Sequence, residues 1–494
     1  MDIIYRSTRN STGGLKASEA IVQGISTDGG LFVPDRFPKL ETSIKDLSKM
    51  DYKGVAYEVM KLFLTDFTEE ELKYCIEHAY DDKFDTGEIA PLSYVENAYY
   101  LELFHGKTIA FKDMALSILP YLMTTAAKKN QIKEKIVILT ATSGDTGKAA
   151  LAGFADVEGC GIVVFYPKGG VSRVQERQMV TQKGANVKVV GITGNFDDAQ
   201  TGVKQIFADR ELEAQMKERG YRFSSANSIN IGRLIPQVAY YVFAYTRLVK
   251  EGRIAEGEKI NFTVPTGNFG NILAGYYAKQ IGIPVGKLIC ASNENKVLFD
   301  FFETGIYDRN REFILTSSPS MDILISSNLE RLIYEIAGED ADACAELMKS
   351  LSENGKYEIT PAMKEKCRDF IGGYASEEEC AKRIHEVYAN TGYVMDTHTA
   401  VASTVYKQYV EKTKDVTPTV IVSTASPFKF TRSVMEALEE KKEDADDFEL
   451  IDRLSAMTGM TVPNAVEEIR NAEVLHDTVC DKEQMKDEVI KFLK

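Results

Sequence analysis

From about residue 96 onward, short apolar runs alternate with segments whose apolar residues recur at helical spacing. The runs "KIVILTAT" (135–142), "GIVVFYP" (161–167), "NVKVVGI" (186–192), "INFTVP" (260–265), "KLICAS" (287–292) and "TVIVST" (419–424) are rich in β-branched residues, and each predicts a strand. Helical segments separate most of them, which predicts an α/β protein with largely parallel sheets covered on both faces. The first 95 or so residues break this rhythm. There "STDGGLFVPDRFP" is a turn-rich loop, "SIKDLSKMDYKGVAYEVMKLFL" has helical apolar spacing, and "TEEELKYCIEHAYDD" opens with Thr68 as an N-cap, so residues 1–95 are expected to form a mostly helical unit with an extended start. Residues 330–390 are expected as a helical insertion. Residues 431–494 are expected as a C-terminal helical segment whose charge run, in "SVMEALEEKKEDADDFELIDRLSAMTGM", is a solvated face.

In sheets of this kind ligands sit beyond the carboxyl ends of the strands, so the loops there carry the search for function. "TATSGDTGKAALAGFA" (140–155) leaves the strand "KIVIL" and enters an alanine-rich helix; Gly144 and Gly147 let backbone approach a ligand, and the helix start offers N–H groups to an anion. It is not a nucleotide P-loop, which would need glycine where Thr142 stands and Ser or Thr where Ala149 stands. "VPTGNFGNILAGYYAKQIG" (264–282) repeats the strand, Gly-rich turn, helix order, and Gly267, Asn268, Phe269, Gly270 and Asn271 can wrap backbone amides around a phosphate. "STASPFKF" (423–430) offers Thr424 or Ser423 to a ring nitrogen, or is a plain turn introduced by Pro427.

Composition narrows the classes. At 494 residues the chain is too long for one core and divides into two or three domains. Hydrophobic residues at 44% and charged residues at 27% are those of an ordinary globular protein, and a formal charge of −15 disfavours general nucleic-acid binding. Seven cysteines, an odd number with no CxxC, fit a reducing compartment and argue against a zinc module; no metal site is expected. The start "MDIIYRSTRN" lacks the apolar core of a signal peptide, and no apolar run is long enough to span a bilayer, so no membrane partner is expected and the cytoplasm is the expected compartment.

Lys112, in "FHGKTIAFKD", sits among apolar residues. Either its stem is covered and its amine reaches solvent, or the amine is buried, its pKa falls, and neutral amine becomes available to form a Schiff base. The phosphate-binding loops favour the second reading. An aldehyde-and-phosphate cofactor, pyridoxal phosphate, needs one reactive lysine, one phosphate cup and one ring-nitrogen partner, and the chain has a candidate for each.

The stretches "LELFHGKTIAFKDMA", "TSGDTGKAAL", "NSINIGRLIPQ", "PTGNFGN" and "DTHTAVA", with "GLFVPDRFP", "NFDDAQ" and "SPSMDILISSNLERLIYE", together resemble the threonine synthase family of type II, tryptophan-synthase-β-like pyridoxal phosphate enzymes. The likeness runs from about residue 5 to 430. It implies two α/β lobes around the cofactor within residues 96–430, the smaller at about 113–235 and the larger the remainder, beside the N-terminal domain. It also implies conversion of O-phospho-L-homoserine and water to L-threonine and phosphate; a sister enzyme such as serine/threonine dehydratase is the alternative. A monomer or homodimer is expected.

By the same resemblance Lys112 holds the cofactor and shuttles protons, residues 267–271 cup its phosphate, Thr424 faces the pyridine nitrogen, and Asp145 lies near the ring hydroxyl. Thr142, Ser143, Gly144 and Thr146 receive the substrate carboxylate, and Asn227, Ser228 and Arg233 the substrate phosphate. Without the family, Arg233 reads as a surface charge on an amphipathic helix. Lys107 and Ser426 depart from the family pattern, which has proline and histidine there. His105 and His398 lie in matching motifs and read as packed, hydrogen-bonded residues at least as well as acids or bases.

Overall fold

The computed structural model describes residues 2–142, 144–439, 441 and 444–494. All six expected strands form, within two sheets. The larger has the order Phe370–Tyr374, Val285–Ser292, Ile260–Pro265, Thr419–Ser423, Ala98–Glu102, Leu92–Val95; neighbours are parallel except the last pair, a hairpin at the edge. The smaller runs Val479–Asp481, Val187–Thr193, Cys160–Pro167, Lys135–Ala141, Tyr221–Ser224 and is parallel throughout. Strands such as Cys160–Pro167 and Ile260–Pro265 are buried at every position, as parallel strands covered on both faces must be.

The N-terminal unit pairs a three-stranded antiparallel sheet (Asn10–Leu15, Tyr5–Ser7, Phe32–Pro34) with helices. The apolar stretch 43–64 splits into Ile44–Leu47 and Tyr52–Phe63, because Asp51 accepts a hydrogen bond from Gly54 N at 2.8 Å and starts a new helix. Thr68 is the N-cap expected of it, in a capping box with Glu71.

Two expectations need correction. Residues 330–390 are not a purely helical insertion: Phe370–Tyr374 is the edge strand of the larger sheet, paired with Val285–Ser292, and Lys356–Glu358 pairs with Ile306–Asp308. The glycine pair Gly372–Gly373 hid that strand, yet a Cβ at Gly373 would meet Val405 at 2.3 Å, so the sheet can pack there only on glycine. The segment 431–494 is likewise more than helix, since Val479–Asp481 adds a strand to the smaller sheet; its charge run falls partly on Glu440, Lys442 and Glu443, outside the described residues.

One helix, Ile231–Lys250, runs through the core and is buried on nearly all sides, packed against Tyr52–Phe63 and Gly270–Ile281. It puts Arg233 in its first turn and Tyr240 and Tyr241 beside the Gly-rich turn before Gly270–Ile281. A short antiparallel bridge, Ala110 to Ala425, holds the lysine-bearing turn against the loop after Thr419–Ser423: Phe111 N donates to Thr424 O at 2.8 Å and Ser426 N to Ile109 O at 3.0 Å. Loops distant in sequence thereby converge on Lys112.

Candidate active site

Lys112 lies at the end of this bridge, at the N-cap of the short helix Asp113–Leu116, with 12% of its side chain exposed. Its amine does not reach for solvent. Nζ donates to Ser320 Oγ at 2.9 Å and lies 3.3 Å from Asp145 Oδ2, and Ser320 Oγ in turn donates to Asp145 Oδ2 at 2.9 Å. Burial lowers the pKa of Lys112; Asp145 opposes that, and the cations Lys429 and Arg233 reinforce it.

Asp145 opens the helix Asp145–Phe154. Its Oδ1 accepts from Gln175 Nε2 at 2.9 Å and lies 3.2 Å from Lys429 Nζ. Burial alone would raise its pKa, but Lys429, Lys112 and Gln175 outweigh burial and hold it well below the usual carboxylate range. Ser320 is fixed through its backbone: its N–H donates to His398 Nε2 at 3.1 Å, and His398 Nδ1 is 2.8 Å from Asp396 Oδ2. That pairing makes Nδ1 the protonated nitrogen and Nε2 the acceptor, so His398 is a packed, hydrogen-bonded histidine, its ring against Phe430. His105 likewise bridges Asp85 and Glu102, at 2.6 and 3.1 Å.

The turn 267–271 fits a phosphate on three counts. Phe269, at φ 64°, is the N-cap of Gly270–Ile281 yet offers the helix's first N–H groups no side-chain acceptor. Tyr240 and Tyr241 donate to Asn271 Oδ1 at 2.6 and 2.7 Å, which leaves the buried Nδ2 without a partner among the described residues. Gly267 abuts the Ser320 backbone, where a Cβ would stand 2.7 Å from its carbonyl oxygen. A left-handed bulky residue, an uncapped helix and an orphaned donor in one turn are costly unless an anion is bound there.

Arg233 is 4% exposed, so the surface-charge reading fails. Its Nη1 donates to Ala226 O at 2.9 Å, while Nε has no partner among the described residues, and burial lowers its pKa to about 10. Ser228 is half-buried with its carbonyl accepting from Asn328 Nδ2 at 3.3 Å; Asn227 is exposed. Asn328 Nδ2 also donates to Asn268 O at 3.1 Å, tying the Asn227–Ser228 loop to the 267–271 turn.

The remaining expected residues divide. Thr142 points into its own loop, its Oγ1 accepting from Gly144 N and Gly147 N, both at 2.9 Å; it shapes the turn. Gly144, at φ +140°, packs against Gln175, and a Cβ there would meet that side chain at 2.5 Å. Thr146 is half-buried, and its hydroxyl makes no hydrogen bond with described residues; Ser143 lies outside the described residues. Thr424 is buried beside the Lys112 turn, its hydroxyl also without a hydrogen bond to described residues. Lys107 is exposed, and Ser426 caps the turn Pro427–Lys429 through Phe428 N at 3.3 Å.

Sequence reasoning missed Ser320, Lys429, Gln175 and Asn328. Ser320 and Asn328 sit in "SPSMDILISSNLERLIYE" and Lys429 in "STASPFKF", so the motifs were in view, but nothing in their local pattern says which side chains turn inward.

Residues 4–80 match the family model of the threonine synthase N terminus, 94–426 that of pyridoxal-phosphate dependent enzymes, and 399–479 that of the threonine synthase C-terminal region. Threonine synthase of Saccharomyces cerevisiae is 37% identical over 467 residues, covering 88% of this chain and 89% of its own. A human protein, threonine synthase-like 1, is 42% identical over 438 residues, covering 86% of this chain, which spans only 58% of that relative's length. A crystal structure of pyridoxal-phosphate-bound threonine synthase from Brucella melitensis superimposes with a TM-score of 0.89 at 34% identity, covering 100% of both chains. On this ground the chain belongs to the threonine synthase family of pyridoxal-phosphate-dependent enzymes.

Proposed function

We propose that this protein converts O-phospho-L-homoserine and water to L-threonine and phosphate, the last step of threonine biosynthesis, with pyridoxal phosphate carried on Lys112. Bound there, the cofactor supplies an electron sink for negative charge developing on the substrate's α-carbon. The turn 267–271 would hold its phosphate, through the first N–H groups of Gly270–Ile281 and Asn271 Nδ2. Thr424 would offer a neutral hydroxyl to its ring nitrogen, and Asp145 would serve its ring hydroxyl.

The chain's own groups do the rest. Lys112 Nζ would take and return the protons at the substrate's α- and β-carbons, and the depression of its pKa by burial supports that use, since a base must spend part of its time neutral. Gly144, Thr146 and the start of Asp145–Phe154 receive the substrate carboxylate, with Thr142 holding that loop in shape. Ser143 is assigned to the same loop from sequence alone. Arg233, with Asn227 and Ser228, binds the substrate phosphate.

Arg233 is the observation that carries this reading. A buried guanidinium with an unpartnered Nε, close enough to Lys112 to depress its pKa, supports a second anion site beside the cofactor, for which a serine/threonine dehydratase has no use. The seven free cysteines support the cytoplasm as the compartment; the working form is a monomer or homodimer. Purified protein given O-phospho-L-homoserine is expected to release phosphate and L-threonine in equal amounts. Formation of a 2-oxo acid from serine or threonine, with no phosphate release from O-phospho-L-homoserine, would overturn the proposal.

A further inference from the structure

Lys429 closes the turn Pro427–Lys429, and its side chain is 0% exposed. Its amine donates to Thr108 O at 2.7 Å and lies 3.2 Å from Asp145 Oδ1. The two oxygens of Asp145 thus face two different lysines, Lys429 at Oδ1 and Lys112 at Oδ2. Lys112 must lose its charge whenever its amine attacks a carbonyl or acts as a base. Were Lys112 the only cation beside Asp145, each such step would strand a buried carboxylate without a counter-charge, which is strongly unfavourable. Lys429, bonded to the backbone carbonyl of Thr108, has no such step to make.

We propose that Lys429 is a positioning residue: it keeps Asp145 ionised and charge-compensated while Lys112 cycles between charged and neutral forms, and so lets Lys112 give up its proton. The inference rests on reading Lys112 as the cofactor lysine. The charged and titratable groups around the pair come from several elements: Arg233 from Ile231–Lys250 acts on Lys112, His398 from Thr397–Thr413 on Asp145, and Asp113 and Lys148 lie within reach of Lys429. Lys429 also repels a charge on Lys112 directly, in the same direction as burial.

The test is the pH dependence of the rate at which apoprotein takes up pyridoxal phosphate on Lys112, trapped with borohydride and read by peptide mass spectrometry. Lys429→Met is expected to move the midpoint up by about one pH unit or more, a roughly tenfold slower uptake at a fixed pH below it. Lys429→Arg, which keeps the charge, is expected to restore the wild-type midpoint, and Asp145→Asn to move it down. Should Lys429→Met fail to fold, Lys429→Gln, which can still donate to Thr108 O, is read in its place. An unchanged midpoint without the Lys429 charge overturns this inference and leaves the cofactor reading intact; no label on Lys112 in the wild-type protein overturns both.

Discussion

Asn271 and Tyr241 are joined by a 2.7 Å hydrogen bond in which the tyrosine donates to Oδ1, so the central helix decides which way the asparagine amide faces. Its Nδ2 is left as a buried donor at the start of Gly270–Ile281. Asn271→Asp keeps an acceptor for Tyr240 and Tyr241 but replaces that donor with an oxygen. Affinity for pyridoxal phosphate is expected to fall by about 100-fold, the worth of a charge-assisted bond turned into a repulsion, with little change in apoprotein melting temperature. A cofactor titration followed by absorbance checks this, and unchanged affinity would remove the turn from the phosphate site.

Arg233→Ala removes a buried cation that makes one hydrogen bond among the described residues, so the fold is expected to lose little, while on the proposed function the substrate phosphate loses its fork of donors. KM for O-phospho-L-homoserine is expected to rise about 100-fold, and product inhibition by inorganic phosphate to weaken with it. Steady-state kinetics decide, and an unchanged KM would sink the assignment.

His105 gives stability a pH dependence away from the site. Burial pulls its pKa down, but Asp85 and Glu102 more than compensate and raise it to about 9 from an ordinary 6.5. The stabilisation is therefore full below about pH 6.5 and is lost as pH rises through 9. His105→Gln is expected to cost about 1 kcal/mol at pH 6, after allowing for solvent around half-exposed Asp85, and much less at pH 10. Thermal melts at the two pH values are the check; equal losses at both would contradict it.

Lys148 carries the opposite sign. Burial, with Lys429 and Lys107 adding to it, lowers its pKa to about 7 from 10.5, so the fold disfavours the charged form. The destabilisation is full below about pH 7 and fades as pH rises toward 10.5. Lys148→Met is expected to raise the melting temperature by about 2 °C or more at pH 6 and to leave it nearly unchanged above pH 10.5. A loss of stability at pH 6 would mean that the bond from Lys148 to Gln182, at 2.6 Å, outweighs the buried charge.

Six strands of the two sheets were legible because β-branched runs leave few alternatives, and the loops at their ends were legible because glycine, threonine and asparagine cluster there. Phe370–Tyr374 was not, since Gly372 and Gly373 carry no apolar signal and the close packing that needs Gly373 comes from Val405, over thirty residues away. The same limit hid Ser320. Its contact with Lys112 spans 208 residues and depends on His398 holding its backbone N–H, a relationship with no local signature. Arg233 marks the boundary between the two cases: the motif drew attention to it, but only its burial distinguishes an anion site from a solvated helix face.

The largely covered Lys112 and the buried Lys148 each lie within electrostatic reach of the buried Lys429, and the account rests on Lys112 alone bearing the cofactor. Borohydride reduction of the reconstituted holoenzyme, followed by proteolysis and mass spectrometry, tests this most directly. The expected result is one pyridoxyl-phosphate adduct per chain, on the peptide containing Lys112. An adduct on Lys148 or Lys429, or none on any lysine, would contradict it.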